Sequence, residues 1–567
     1  MERMKEWLRE THGAGFELLR HFLLHFFDSD LVTASGQTAP ALIGAISMFL
    51  PWFPLITGPL KQKYAYFSHL PAPGPYRLAV RADELWLITL MMSAIGLLTA
   101  IKWQALFPGL RDYQALGSLP LRARQIFTAK LVALVVVATA AVLTLNLPPG
   151  LVFPVVSTGR WAFDPAPGAR LVAHGAACAA GCYFYFFGMI ALQGVLLNLL
   201  RPRQFARVTG LLQGLLVAAM LVAIVLSFSI QPQVTAAVVR PELARWLPPV
   251  WFLGLCKTMS GDPDPAMQAL GHRALTALGI AVALTLLTYS ISYRRHRALL
   301  VEGVNEAGRN RRWCGAVFDW AIPDPRRQAV IAFLGKTLAG SGQHRTILMG
   351  YGGFGLAIFL SGLIGMREVV GPGRVVAADF VYAHTILPVF LLIGVRHLFS
   401  IPVELKANWA FQITEGEGRG EWLRAVDHFV LYPGAAAIWI VPFPLELYLL
   451  GWRAAGESFL LAVFGLLCYE WVFSSWEKLP FTCSHLPGKT PAWQLSLYLL
   501  GLLVALPTVN WLLLECLYHP VLFAAILIGL LAAWTRLHAI RKDGWGDLRL
   551  LYEETPDPAI HGLNLLK

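Results

Sequence analysis

Apolar runs of about twenty residues recur along this chain, and a run of that length crosses roughly 30 Å of hydrocarbon as one helix. Twelve can be marked, at roughly 39–57, 85–106, 129–148, 171–199, 208–229, 271–292, 346–365, 378–398, 430–450, 457–476, 494–514 and 519–538. Lipid offers no partner to a backbone N–H or C=O, so each run must bond its own backbone and fold as a helix. The expectation is an all-α, polytopic helical membrane protein with about 12 transmembrane helices. Composition supports this: 14% of residues are charged and mean hydropathy is +0.57, where globular chains carry about 25% charged residues.

The net charge of +12 reads as topology rather than as a nucleic-acid surface. Lys and Arg gather in alternate connections, with ten between residues 293 and 345. Such asymmetry places the basic connections, and with them both termini, in the cytosol, facing anionic membrane lipids. Cys178, Cys182, Cys468 and Cys516 fall in or at the ends of spans, Cys314 and Cys483 in cytosolic segments, and Cys256 in an external loop. That scatter gives no disulfide framework. The external loop 231–270 contains LPPVWFLGL, where Trp246, Trp251 and Phe252 suit an interfacial aromatic belt. The first 38 residues read as an amphipathic helix rather than a cleavable signal peptide.

Two stretches suggest an internal duplication. In 16–27, Leu19, Phe22, Leu23, Phe26 and Phe27 make one apolar stripe, too short to span and suited to the membrane interface. In 330–338, Val330, Phe333, Leu334, Thr337 and Leu338 repeat the spacing. Each helix is followed by Ser-Gly-Gln, at 35–37 and 341–343, and then by a span; the same offset of 306 residues carries Trp103 onto Trp409. With six spans in each half, this implies two parallel six-span repeats. The first half is 1–300. The second is 301–567, joined through a cytosolic linker at 293–345.

Between the second and third spans lies 107–130, FPGLRDYQALGSLPLRARQIFTAK. It is too charged to cross a bilayer and too long to be a turn. It reads as a short interfacial helix that ends at Gly117 and restarts after Pro120. Pro108, Arg111-Asp112-Tyr113, Leu116, Leu119-Pro120 and Ala129-Lys130 together resemble the first cytosolic loop of permease subunits of type-2 ABC exporters. The resemblance is clearest over residues 16–150. It implies a bacterial inner-membrane exporter permease moved by a separate cytosolic ABC ATPase, with ATP on that partner and no cofactor in this chain. Family permeases are usually single six-span units, so a chain of this length implies two units fused. The equivalent loop of the second half is 404–429, ELKANWAFQITEGEGRGEWLRAVDHF, and its residues differ. The resemblance then implies ATPase contacts at Asp112, Tyr113, Leu116 and Arg124 in the first half, and at Trp409, Glu415 and Trp422 in the second.

Other constellations are thinner. Leu486-Pro487-Gly488-Lys489-Thr490 lacks the earlier glycine and the strand–loop–helix setting of a phosphate-binding loop, since Cys483 stands where that glycine would be. His174, Cys178 and Cys182 share one helical face and could hold a soft metal. The run HGAACAAGC around them reads better as a small-residue face for close helix packing. Ionisable residues within spans usually have a purpose. His384 and Glu470 are therefore candidates for a pathway or a structural pair, while Glu446 and Glu515 lie nearer the surface. No catalytic constellation stands out, and the chain reads as a transporter rather than an enzyme. Two other readings remain open: a twelve-span secondary transporter driven by an ion gradient, and a membrane-embedded lipid-modifying enzyme.

Overall fold

The computed structural model describes residues 13, 15–23, 52–108, 112, 116, 119, 121–157, 161, 167–228, 246–301, 322, 324–369, 378–403, 408–414, 419–435, 443–450, 452–474, 476, 478–482, 508–509, 511–513, 515–516, 519–543 and 550. These residues are helical almost throughout, with no strand among them. Among the described residues, six helices are long and apolar enough to cross a membrane: Pro73–Ile101, Arg124–Val156, Gly168–Leu199, Val208–Ser227, Pro265–Ser292 and Pro520–Asp543. The chain divides into two compact units, Met1–Glu306 and Ala307–Lys567.

In the first unit, α1 (15–23) precedes α2 (Trp52–His69), α3 (Pro73–Ile101), α4 (Ala123–Val156), α5 (Pro167–Leu199), α6 (Pro202–Ser227), α7 (Pro248–Met259) and α8 (Pro265–Val301). Helix α5 is the hub, packing on α3, α4, α7 and α8, while α6 lies along α3. The run HGAACAAGC is where that closeness is achieved. A Cβ on Gly181 would lie 2.7 Å from the sulfur of Met92 on α3, so bulk there would push the two helices apart.

Three sequence expectations change here. The second span begins at Pro73 rather than 85, since Pro73 opens a helix that continues through Arg81, Asp83 and Glu84. Charges excluded that turn from a hydropathy window, but here each has a partner. The third span does not stop at 148. Pro148, Pro149 and Pro154 lie inside α4, as membrane helices tolerate when neighbours cover the freed groups. The third change concerns 231–270. Its PPVWFLGLCKTM segment forms α7, with Pro248 and Pro249 in the helix's first turn.

Phe252, Leu253 and Cys256 on α7 are fully enclosed by α3, α5 and α8. Of the predicted belt, only Trp246 is well exposed, and Cys256 is buried within the unit. The α7–α8 approach depends on Gly254, whose added Cβ would meet Met267 O at 2.7 Å and Gly271 N at 2.8 Å. Those are backbone atoms and cannot swing aside. Gly254→Val is expected to cost about 1–3 kcal/mol, read as a lower unfolding temperature in detergent. An unchanged midpoint would mean α7 is not held this tightly.

The second unit comprises α9 (Pro325–Gly340), α10 (Gly342–Val369), α11 (Ala378–Phe399), α12 (Asn408–Thr414), α13 (Arg419–Ala435), α14 (Phe443–Leu450), α15 (Arg453–Phe473) and α16 (Pro520–Asp543). Asp324 caps α9 by accepting a hydrogen bond from the Arg326 N–H at 3.0 Å, and Pro325 occupies the first turn. Helix α9 lays Val330, Ile331 and Leu334 against α13 and the ends of α11 and α15. Ser341 ends α9 and Gly342 opens α10, so the second Ser-Gly-Gln marks a helix junction. The first, at 35–37, lies outside the described residues, as do most of 39–57 and 494–507.

Apolar side chains are abundantly exposed on the long helices: Leu143 and Leu147 on α4, Leu286, Leu287 and Ile291 on α8, Val521 and Ile528 on α16. Helix α16 has no buried residue in its apolar window. Patches of this extent are untenable in water and ordinary in lipid, which leaves helix interiors to carry the polar groups.

Candidate functional site

Three polar constellations are built by these helices. The first surrounds loop 107–130. Leu18 and Phe22 of α1 form one cluster with Leu116 of the loop and with Ile126 and Ala133 of α4. Asp112, only 5% exposed, lies 3.8 Å from His21 Nε2 and 4.0 Å from Lys130 Nζ. The Lys130 ammonium also sits 4.8 Å from the centre of the Phe22 ring. Beyond the end of α3, burial holds the Lys102 ammonium below its ordinary value. The loop is thus bound to the amphipathic helix before it and to the span after it.

The contact residues inferred from the resemblance are placed unequally. Asp112 and Leu116 face their own unit, while Arg124 is exposed at the start of α4. In the second unit, Trp409 is 63% exposed on α12, and Trp422 is buried on α13 beside Phe411. Tyr113 and Glu415 lie outside the described residues. Arg327 of α9 binds Glu421 of α13, which also pairs with Arg424 at 2.5 Å. In each unit an acidic residue, Asp112 or Glu421, lies against the preceding amphipathic helix, at His21 or Arg327 respectively. Trp103 and Trp409, matched by the offset of 306, differ completely in setting, since Trp103 is buried.

The second constellation lies in unit 2. Arg541 of α16 grips Asp427 of α13 with two N–H donors, at 3.1 and 2.9 Å, and pairs through Nε with Glu470 of α15 at 2.6 Å. Tyr469 donates its hydroxyl to Asp427 at 2.5 Å, and the guanidinium lies 5.0 Å over the Tyr469 ring. His538 meets Glu470 at 2.6 Å and stacks on Trp534. Glu470 is therefore paired with Arg541 and His538. His384 is on α11, with its side chain outside the described residues; the side chain of Glu446 and the segment 486–490 are likewise outside. Glu515 is partly exposed and lies 3.8 Å from His519.

The third constellation was missed from sequence. Glu84 of α3 and Lys257 of α7 form a 2.5 Å ion pair with both side chains nearly buried. Asp83 accepts from Lys63 at 2.8 Å and from the Tyr64 hydroxyl at 2.5 Å. Tyr76 donates to the carbonyl of Ser157, and Arg170 donates to the Ser157 hydroxyl at 3.0 Å. Arg81 reaches Asp262 at 2.8 Å in the α7–α8 connection. Burial pushes the Asp262 carboxyl up, but the Arg81 guanidinium and the Asp264 N–H outweigh it and hold the group below its usual range. His174, Cys178 and Cys182 do share one face of α5. They part company in their contacts: His174 Nε2 is 3.6 Å from Cys178 Sγ, while Cys182 faces Asn146. Glu84 fell just outside a hydropathy-defined span and Lys257 in a presumed loop. The available signal was an amphipathic charge on LGLCKTM, readable only once that segment is known to be interior.

Fold and composition together mark an all-α protein whose long apolar helices suit a membrane, with a few buried ion pairs inside its helical units. Comparison with family models, with curated proteins and with solved structures finds no match for this chain.

Proposed function

We propose that this chain is the membrane permease of an export system in the bacterial inner membrane, powered by a separate cytosolic ABC ATPase. In this reading the chain comprises two six-span halves, both termini are cytosolic, and the chain carries no nucleotide site of its own. The observation that carries it is the clamp on loop 107–130. With Asp112 held by His21 and Lys130, and Leu116 sharing a cluster with Phe22, the loop moves with α1 and α4 as one lever. A partner pressing on the loop would then move a span rather than a flexible tether. Exposed Arg124 and Trp409 supply contact surface, with Tyr113 and Glu415 in the same two loops. Asp112 positions that surface from within.

A mild-detergent pull-down tests this. The tagged protein is expected to bring down a stoichiometric ATP hydrolase. The pair Arg124→Glu and Trp409→Ala should release it at unchanged unfolding temperature, whereas Asp112→Ala should lower ATPase retention and stability together. Retained ATPase and transport in an Asp112→Ala, Tyr113→Ala variant would remove the loop from the mechanism.

The Glu84–Lys257 pair favours a second reading, a secondary transporter, because intramembrane ion pairs often line coupled pathways. An ATPase-free preparation that moves solute on a proton gradient would establish that reading instead. Formation of a lipid product that disappears with Glu470→Gln would point to the membrane-embedded enzyme.

A further inference from the structure

Loop 107–130 is held where it begins as well as where it ends, and by a different helix. Helix α3 gives way to a single tight turn, Trp103–Ala105, and Leu106 and Phe107 follow, both buried. A carbonyl just beyond a helix end has no partner within the helix and needs one from elsewhere. The Leu106 carbonyl finds it on α8, where the buried Tyr289 hydroxyl donates to it at 2.8 Å. The Tyr289 ring stacks on Phe107 at 4.6 Å and meets Phe127 of α4 edge-on at 5.6 Å. One side chain of α8 therefore touches both the start of the loop and the helix that follows it.

Helix α8 is suited to carry movement from that point. No proline follows Pro265 within it, so the commonest cause of a kink is missing. Close contacts make it one body with α5. Thr285 donates to the Phe187 carbonyl at 2.8 Å, Asn198 donates to the Ser292 hydroxyl at 2.9 Å, and a Cβ on Gly194 would lie 2.5 Å from Thr288 Oγ1. Nearer the start of α8 is Gly271, about 27 Å from Tyr289 at a rise of about 1.5 Å per residue. There it meets Gly254 of α7 backbone to backbone, and a Cβ on Gly271 would lie 2.7 Å from Thr258 Oγ1. Lys257, the neighbour of Thr258, is the partner of Glu84. Elements packed this tightly shift together rather than deform.

Resting on the export reading, we propose that Tyr289 is a positioning residue of its coupling step. It passes displacement of loop 107–130 to α8, and through α8 and α7 to the Glu84–Lys257 pair. Glu84 near the start of α3 and the loop beyond its end are separated by most of that helix, so a signal between them needs a carrier. The Asp112 clamp hands a push on the loop to α1 and α4. Tyr289 gives the same push a second output, into α8 and α5.

The test uses the full-length protein with its copurified ATPase and reads backbone hydrogen exchange without nucleotide and with ATP plus vanadate. In the wild type, exchange is expected to change with nucleotide both in loop 107–130 and in 248–271. Tyr289→Phe keeps the ring and removes the donor. It should leave the loop's response in place and shrink that of 248–271 by about threefold or more. A hydroxyl that only held structure would alter exchange alike in both nucleotide states and leave their difference unchanged. Phe107→Leu, which keeps Tyr289 but loses the stacked ring, is the second variant and should weaken the same response. Tyr183→Phe, which removes a hydroxyl from an α5–α4 contact, should leave both responses intact. A preparation without ATPase removes the export reading and this inference with it. A response of 248–271 that is absent in the wild type while the loop responds, or undiminished in Tyr289→Phe, overturns the role of Tyr289 alone.

Discussion

Arg541→Gln is expected to destabilise unit 2 by about 3–5 kcal/mol, the usual result of removing one partner from a buried ion cluster. The guanidinium binds both the Asp427 and the Glu470 carboxylates, and His538 also meets Glu470. Without it, two acids held by α13 and α15 face each other with little solvent to screen them. Thermal unfolding in detergent should show a marked drop in midpoint. Arg541→Lys should recover only part of it, because a single ammonium cannot reproduce the fork that binds Asp427 and Glu470 together. The triple change Arg541→Gln, Asp427→Asn, Glu470→Gln should recover more than Arg541→Lys, since it leaves no unpaired charge. If the single variant unfolds at the wild-type temperature, α16 is not fastened to α13 and α15 through these groups.

The second large effect concerns unit 1. Glu84→Gln should cost a similar 3–5 kcal/mol by leaving the Lys257 ammonium buried and unpaired. Replacing both residues with methionine is expected to be neutral or stabilising, because the paired charges lose as much solvation as they gain from each other. That contrast separates structure from function. A stable double-methionine variant that transports normally would make the pair mere packing. A stable variant without transport would place the pair in the pathway, where the mutual release of Glu84 and Lys257 matters more than their attraction.

Helix content and the approximate location of most described spans were legible in the sequence, because the cost of placing a residue in hydrocarbon is nearly a sum over residues. Span 4 was expected at 171–199 and occupies Pro167–Leu199; the last was expected at 519–538 and occupies Pro520–Asp543. The amphipathic stripe of α1 was legible too, with Phe22 buried and Leu19 and Leu23 partly so. Where the reading slipped, charge or proline misled it. Arg81, Asp83 and Glu84 moved the apparent start of α3, and Pro148 and Pro149 moved the apparent end of α4. The PPVWFLGL segment passed for a loop because twelve helical residues are too few to register as a span.

The sequence by itself determined that this protein is helical, belongs in lipid and carries an amphipathic helix ahead of a charged loop, since each of these depends on residues close together in the chain. Only the tertiary structure decided which charges meet. Glu84 finds Lys257 and Asp427 finds Arg541 across separations that no local spacing encodes. It also decided that Asp112 turns inward, which depends on where α1 lies against α4. In a hydrocarbon solvent, burial of apolar groups does not by itself choose neighbours. Close approach at glycine and the pairing of costly charges do so, and both exist only between helices already brought together.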